Sequence, residues 1–264
     1  MKKIISVAVV LLGCTSAFGQ TVLFDSSIEH KPKDGVIKIY GAGGPHTALR
    51  KVADLWEKQS ATKVELIAGP ESRWSAAAQA DADALWGTSE QAMTAFLETY
   101  KTFDHEKVIP IYISPTVIAV QKGNPKNIRG FDDLLKKDIT IIVTDGKGIY
   151  NTSGTGTWED VAGRKGKLSD IAGFRKNIVG YTLGSGAGFK AFKETKADAW
   201  LTWPNWPISN AKDMDMVYID KDRVIWRDLN MVVSPKADPE TQDFLDFLIT
   251  EKAQKIMKTE GWQR

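Results

Sequence analysis

The chain has 264 residues, 42% of them hydrophobic and 26% charged, with 35 basic against 33 acidic side chains. Such a chain can bury a sizeable core and divide into about two domains, which excludes intrinsic disorder. Its single cysteine, Cys14, excludes a disulfide framework, and none of its three histidines has a partner at metal-ligand spacing.

Residues 1–19 carry Lys2 and Lys3, an apolar run from Ile4 to Leu12 and then small residues, the plan of a secretory signal peptide. Ala17-Phe18-Gly19 reads as a cleavage site that leaves Gln20 as the mature start. Leu11-Leu12-Gly13-Cys14 also resembles the box at which bacterial lipoproteins are cut and acylated, so a lipoprotein anchored at Cys14 is the alternative. Cleavage after Gly19 yields an exported chain without cysteine, which points to the bacterial periplasm. It also removes two lysines and leaves 33 basic against 33 acidic residues. Nucleic acid and anionic membranes are therefore poor partners for it.

Residues 20–35 read as a polar leader. From about Gly35, short apolar runs alternate with helical patterns: VIKIY, a helix from Pro45 to Gln59, KVELIAG, a helix near Ser72 to Ala80, ADALWG, and a helix from Ser89 to Tyr100. Leu49, Val52, Ala53 and Trp56 fall at the spacing that puts them on one helix face. This alternation predicts a largely parallel sheet wrapped by helices. VIPIYISPTVIAVQ is too long for one strand and is broken at Ser114-Pro115, so it reads as two strands joined by a crossing near Thr116. A second series follows: FDDLLKK as a short helix, ITIIVTD, a helix after the 151–156 loop, LSDIAGFRKNI as a helix, IVGYTLG, a helix from about Ser185 to Thr195, and ADAWLTW. RVIWRDLNMVVSP repeats the pattern of a strand stopped by Ser-Pro and predicts a return crossing near Asn230. The last helices start with Asp238 as a cap and Pro239 in the first position, and end at Gly261. Their stripe of Phe244, Leu245, Leu248, Ile256 and Met257 is expected to pack on the first lobe. The expected organisation is lobe 1 over 36–116 plus 230–264, lobe 2 over 117–229, and a cleft between them.

Four turns at strand ends carry glycines and hydroxyls ahead of helices: GAGGPH at 41–46, WGTSE at 86–90, NTSGTG at 151–156 and GYTLGSGAG at 180–188. Such turns expose unpaired backbone amides and the positive end of a helix, which suits an anion. Any one of them reads equally well as a steric turn or a cap. Four at the carboxyl ends of strands are where open α/β sheets bind ligands. GAGGPH fails as a dinucleotide fingerprint because His46 stands where the third glycine belongs, and SGTG lacks the lysine of a phosphate-binding loop. Trp203 and Trp206 lie past a strand end, where an indole N–H can meet a ligand. Trp74 is a similar candidate from the other lobe. No G-x-S-x-G elbow is present, so no catalytic residue, metal or cofactor is assigned. A larger polyanion is expected to recruit a guanidinium, with Arg73 the first candidate and Arg175 and Arg227 behind it.

GAGGPHTAL, DA-x-W-G-T-S-E-Q, QKGNP, NTSGTG-x-W-ED, ADAWLTW and the ending TQDF…GW together resemble the accessory colonisation factor C family over about residues 36–264. That family is similar to the molybdate and sulfate binders among class II periplasmic solute-binding proteins. The resemblance implies an α/β protein with two lobes, each a mixed sheet flanked by helices, joined by two crossing strands. It implies a clamp for a small oxyanion of the sulfate or molybdate kind, or for a citrate- or phosphoglycerate-like anion, with an ABC transporter permease as a further partner. Carried over by motif, the contacts are Gly44, His46, Ser89, the run Thr152, Ser153, Gly154, Thr155 and Gly156, Ser185 and Trp203. The sequence leaves a homodimer open. It also leaves an envelope adhesin with a secondary anion cleft, and an envelope hydrolase, as alternatives.

Overall fold

The computed structural model describes residues 23–145 and 156–264. In chain order the elements are β1 (Val36–Gly41), α1 (His46–Ser60), β2 (Lys63–Ala68), α2 (Ser75–Asp81), β3 (Ala84–Gly87), α3 (Glu90–Thr99) and β4 (Ile109–Pro115). The chain continues through β5 (Val117–Gln121), β6 (Ile141–Thr144), α4 (Thr157–Gly163), α5 (Leu168–Lys176), β7 (Ile178–Thr182), α6 (Gly184–Thr195), β8 (Ala199–Thr202) and α7 (Asn205–Ser209). It closes with β9 (Met214–Tyr218), β10 (Trp226–Val233), α8 (Glu240–Leu248) and α9 (Glu251–Thr259).

These strands form two five-stranded sheets, ordered β2-β1-β3-β10-β4 and β7-β6-β8-β5-β9. Within each, three strands run parallel and the other two add antiparallel pairings, giving two mixed sheets, as the resemblance implies. Alternating side chains feed opposite faces. In the first sheet Ile37, Ile39 and Trp86 enter a core shared with α1, α8 and α9, while Tyr40, Leu85 and Val232 enter one shared with α2 and α3. In the second, Ile118, Val120, Ile141 and Val143 face one core, and Ala119 and Ile142 face Trp200 and Phe192. Helices therefore cover both faces of both sheets. Leu49, Val52 and Ala53 are buried on α1, as their spacing predicts. The C-terminal stripe joins the first lobe through Phe244, Leu245, Leu248 and Met257.

Only one residue separates β4 from β5. At that point Thr116 donates its N–H to the Ile225 carbonyl (2.8 Å), and its Oγ1 accepts from the Ile225 N–H (3.2 Å). The two crossing segments are thus bonded to each other. The return comes earlier than the expected position near Asn230: β10 already pairs Trp226 with Pro115 and Arg227 with Ser114. Ser-Pro marks where β10 stops, and gave no information on where its antiparallel pairing begins.

Four local expectations differ from the structure. FDDLL is a 3-10 turn, and Glu71–Arg73 forms a separate 3-10 turn ahead of α2. Asp238 does not cap α8 with its side chain; its Oδ2 accepts from the N–H groups of Asp34 and Gly35 (3.1 and 3.0 Å), which fastens the start of β1. Residues 23–35 of the leader pack as a strap: His30 is buried, with Nδ1 2.9 Å from the Gln79 carbonyl and Nε2 2.7 Å from Ser234 Oγ. Among the described residues no helix is long and apolar enough to cross a membrane.

Candidate functional site

A narrow cavity opens where the two sheets face each other, lined by Gly44, Thr88, Ser114, Trp203, Asn205, Arg227 and Trp262. Both lobes contribute. Gly44 and Thr88 lie just past β1 and β3, neighbouring parallel strands, ahead of α1 and α3. Ser114 and Arg227 sit on the crossing pair, Trp203 and Asn205 follow β8, and Trp262 is in the C-terminal turn.

The first-lobe side is built tightly. Gly41 ends β1 against Trp86, where any Cβ would collide with the Trp86 carbonyl and ring. The buried Trp86 indole donates to the Ala42 carbonyl at 2.6 Å and so fixes the entry into the Gly43-Gly44 turn. Ser89 caps α3, accepting from the Ala92 N–H at 3.1 Å, which orients the Thr88 turn beside it. Two helix amino ends therefore meet at one side of the cleft.

The other walls carry unsatisfied polar atoms. Trp262 is 5% exposed, and its Nε1 has no hydrogen-bond partner among the described residues; neither does Asn205 Oδ1. Outside the lining, Thr202 Oγ1 at the β8 end and Thr157 Oγ1 at the α4 start are also buried and have no partner among the described residues. A buried donor or acceptor left unpaired costs about 1–3 kcal/mol, so a ligand that satisfies these atoms gains what folding left unmade. Arg227 supplies the full positive charge of the lining, and one of its Nη atoms pairs with Asp160 of α4, across the cleft.

Of the residues singled out from sequence, Gly44 and Trp203 line this cavity. His46 is the first residue of α1 and half-buried, and Ser89 is the α3 cap next to Thr88; neither is in the lining. Gly156 has φ +74 and leads into α4, while Thr152, Ser153, Gly154 and Thr155 lie outside the described residues. Ser185 is buried in the first turn of α6, away from the lining. Arg73 is exposed on its 3-10 turn and outside the lining, Arg175 lies over the Trp158 ring, and Arg227 alone of the three guanidiniums faces the cavity. Trp74 is core: it stacks on Tyr100 and donates Nε1 to the Gly69 carbonyl. Trp206 stacks on Phe189. Ser114, Asn205 and Trp262 were not assigned from sequence, although the terminal Gly-Trp carried part of the family pattern. Among the described residues no group of His, Cys, Asp and Glu could hold a metal ion.

The family model for bacterial extracellular solute-binding proteins matches residues 37–263. This chain belongs to that family. The L-phospholactate-bound crystal structure of PEB3 is 41% identical, with a TM-score of 0.83, covering 86% of this chain and 99% of that one. A structure of Peb3 from Campylobacter jejuni is 40% identical over the same shares, with a TM-score of 0.81. The sulfate-binding protein SubI from Mycobacterium tuberculosis shares the fold at 18% identity and a TM-score of 0.70, covering 87% of this chain and 86% of its own. The Azotobacter vinelandii periplasmic molybdate-binding protein does so at 15% and 0.65, covering 86% and 99%. No curated protein matches the chain. These likenesses agree with the accessory-colonisation-factor resemblance and with the sulfate- and molybdate-binder fold it implied.

Proposed function

We propose that this solute-binding protein captures a small organic anion, carrying phosphoryl or carboxylate groups on a short carbon skeleton, in the cleft between its lobes. The observation that carries the reading is the make-up of the cavity: helix amino ends at Gly44 and Thr88, the guanidinium of Arg227, and two indoles, Trp203 and Trp262. Amides and dipoles suit an anionic group, a guanidinium suits a second one, and the indole walls suit carbon. The L-phospholactate bound to PEB3 is a molecule of this kind. In this reading the Gly44–His46 and Thr88–Ser89 turns and the 152–156 run supply neutral donors. Arg227 takes the part first given to Arg73, and Ser185 supports the second lobe. The protein works in the periplasm after cleavage of residues 1–19, carries out no reaction, and delivers its ligand to an ABC transporter permease.

A thermal-shift panel of sulfate, molybdate, citrate, phospholactate and 3-phosphoglycerate tests this. A ligand at about 100 times its Kd adds about 2.7 kcal/mol, raising Tm by about 5 to 10 °C for a chain of this size. Phospholactate or 3-phosphoglycerate is expected to give the largest shift. No shift with any of the five would remove the anion reading, and a surface-binding activity that persists with the cleft disabled would favour an adhesin.

A further inference from the structure

The lobes touch at a point beyond the cavity lining. Gly261, in the turn after α9, has φ +86, and a Cβ placed on it would run into Pro204 of the second lobe, meeting Cγ at 3.1 Å and Ile208 Cδ1 at 3.4 Å. The turn is held firmly on the first lobe: Ser114 Oγ donates to the Gly261 carbonyl (2.9 Å), Trp262 N–H donates to the Met257 carbonyl (3.0 Å), and Ile113 and Gln263 exchange backbone bonds (2.7 and 2.9 Å). Pro204 is buried and leads directly from Trp203 into α7. Glycine is required here twice, by the left-handed backbone and by the absence of room. Arg227 with Asp160 is a second pair that joins the two lobes.

We propose that the seat of Pro204 on Gly261 is the stop that sets how far the lobes close, and that Gly261 and Pro204 thereby position the two halves of the ligand site without contacting the ligand. The inference rests on the cleft reading above, since the closing faces carry Trp203 and Trp262 into the cavity on either side of the seat. Only about a methyl group of extra bulk separates closing from not closing. A ligand held by donors from both lobes then loses one set of them.

The test measures closure directly. In the chain cleaved after Gly19, which carries no cysteine of its own, Asp160→Cys and Arg227→Cys place two thiols where the lobes meet, and their rate of coupling by a short bismaleimide without ligand reports how often the lobes come together. Gly261→Ala is expected to slow coupling at least about fivefold, the low end of what overpacking costs. Adding Pro204→Gly, which removes the colliding ring, is expected to restore it. Backbone strain at Gly261 alone would not be relieved by a change at Pro204. If Gly261→Ala does not fold, Ile208→Trp crowds the same seat from the second lobe and is expected to slow coupling likewise. Unchanged coupling in the crowded variant, or no recovery with Pro204→Gly, would overturn the proposal. With the native Asp160 and Arg227 retained, phospholactate affinity is expected to fall and recover in parallel. A wild-type protein that binds no phospholactate would count against the ligand assignment alone, because coupling decides the seat independently.

Discussion

In the proposed reading, Arg227 is the residue on which the chemistry of the cleft turns. It lines the cavity, and only one of its donors is taken up by Asp160 among the described residues. Charge-assisted hydrogen bonds contribute about 1.5–3 kcal/mol each. Arg227→Met is therefore expected to weaken phospholactate binding by about ten- to a hundredfold in calorimetry while leaving the secondary structure intact by circular dichroism. An affinity within a factor of two of wild type would take the guanidinium out of the site. Ser89 is a different case. Its hydroxyl caps α3 through the Ala92 N–H, so Ser89→Ala is expected to lower stability by about 1 kcal/mol in a denaturant titration even without ligand. Residues such as Gly44 and Trp203 were legible because each sits in a local pattern, a glycine turn before a helix or an aromatic past a strand end. Ser114, Arg227 and Trp262 come from three distant stretches and meet only because β4, β10 and the C-terminal turn adjoin at the crossing. No spacing along the chain encodes that meeting, so the sequence offers no ground for ranking Arg227 above Arg73.

Elements with a clear period were read correctly for the same physical reason that they form. The α1 stripe and the alternating strands of both sheets bury one side chain set per face. β9 and α7 went unread: MDMVY lacks a long apolar run, and NWPIS is five residues with a proline inside it. The leader shows how context overrides composition. Its sequence is polar, yet His30 anchors it between the Gln79 carbonyl, Ser234 and the Phe103 ring, with Asp81 and Lys236 the charged groups nearby. Burial pushes the His30 pKa below its usual value, with Lys236 adding to the shift and the Gln79 carbonyl and Asp81 opposing it. The unfolded chain takes up the proton first as pH falls from about 6.5. The strap's contribution is thus full above that pH and declines as pH falls toward the folded pKa. Amide exchange in residues 23–35 is expected to quicken between pH 7.5 and 5 beyond the intrinsic pH effect, and His30→Gln to flatten that change; equal protection at both pH values would contradict it. In the second lobe, Phe131, Phe174 and Trp158 form a parallel stack, with Arg223 over the Phe131 ring. Phe174 is fully buried in it, and Phe174→Ala is expected to cost about 3–5 kcal/mol, read as a lowered melting temperature.

At the scale of the molecule, two sheets of the same size face one another across paired crossing strands, so the lobes can approach and part while their cores stay intact. In the proposed reading, that arrangement turns weak local features into a site. A glycine turn or a capped helix start does little by itself, whereas donors brought from both lobes act on one bound group and add. Their sum must also meet the entropy of holding the ligand and the lobes together, about 8 kcal/mol net for a micromolar complex. The two-lobe plan and its crossing near Thr116 could be read from the long apolar segments broken at Ser-Pro. The point of return at Trp226 depends on antiparallel register, which one strand's sequence does not state. The most direct measurement is isothermal titration calorimetry of the wild-type protein with phospholactate, repeated with Arg227→Met. A single saturable site in the wild type, weakened at least about tenfold by the substitution, is the expected result. Absence of binding, or binding that the substitution leaves unchanged, would contradict an anion held in this cleft.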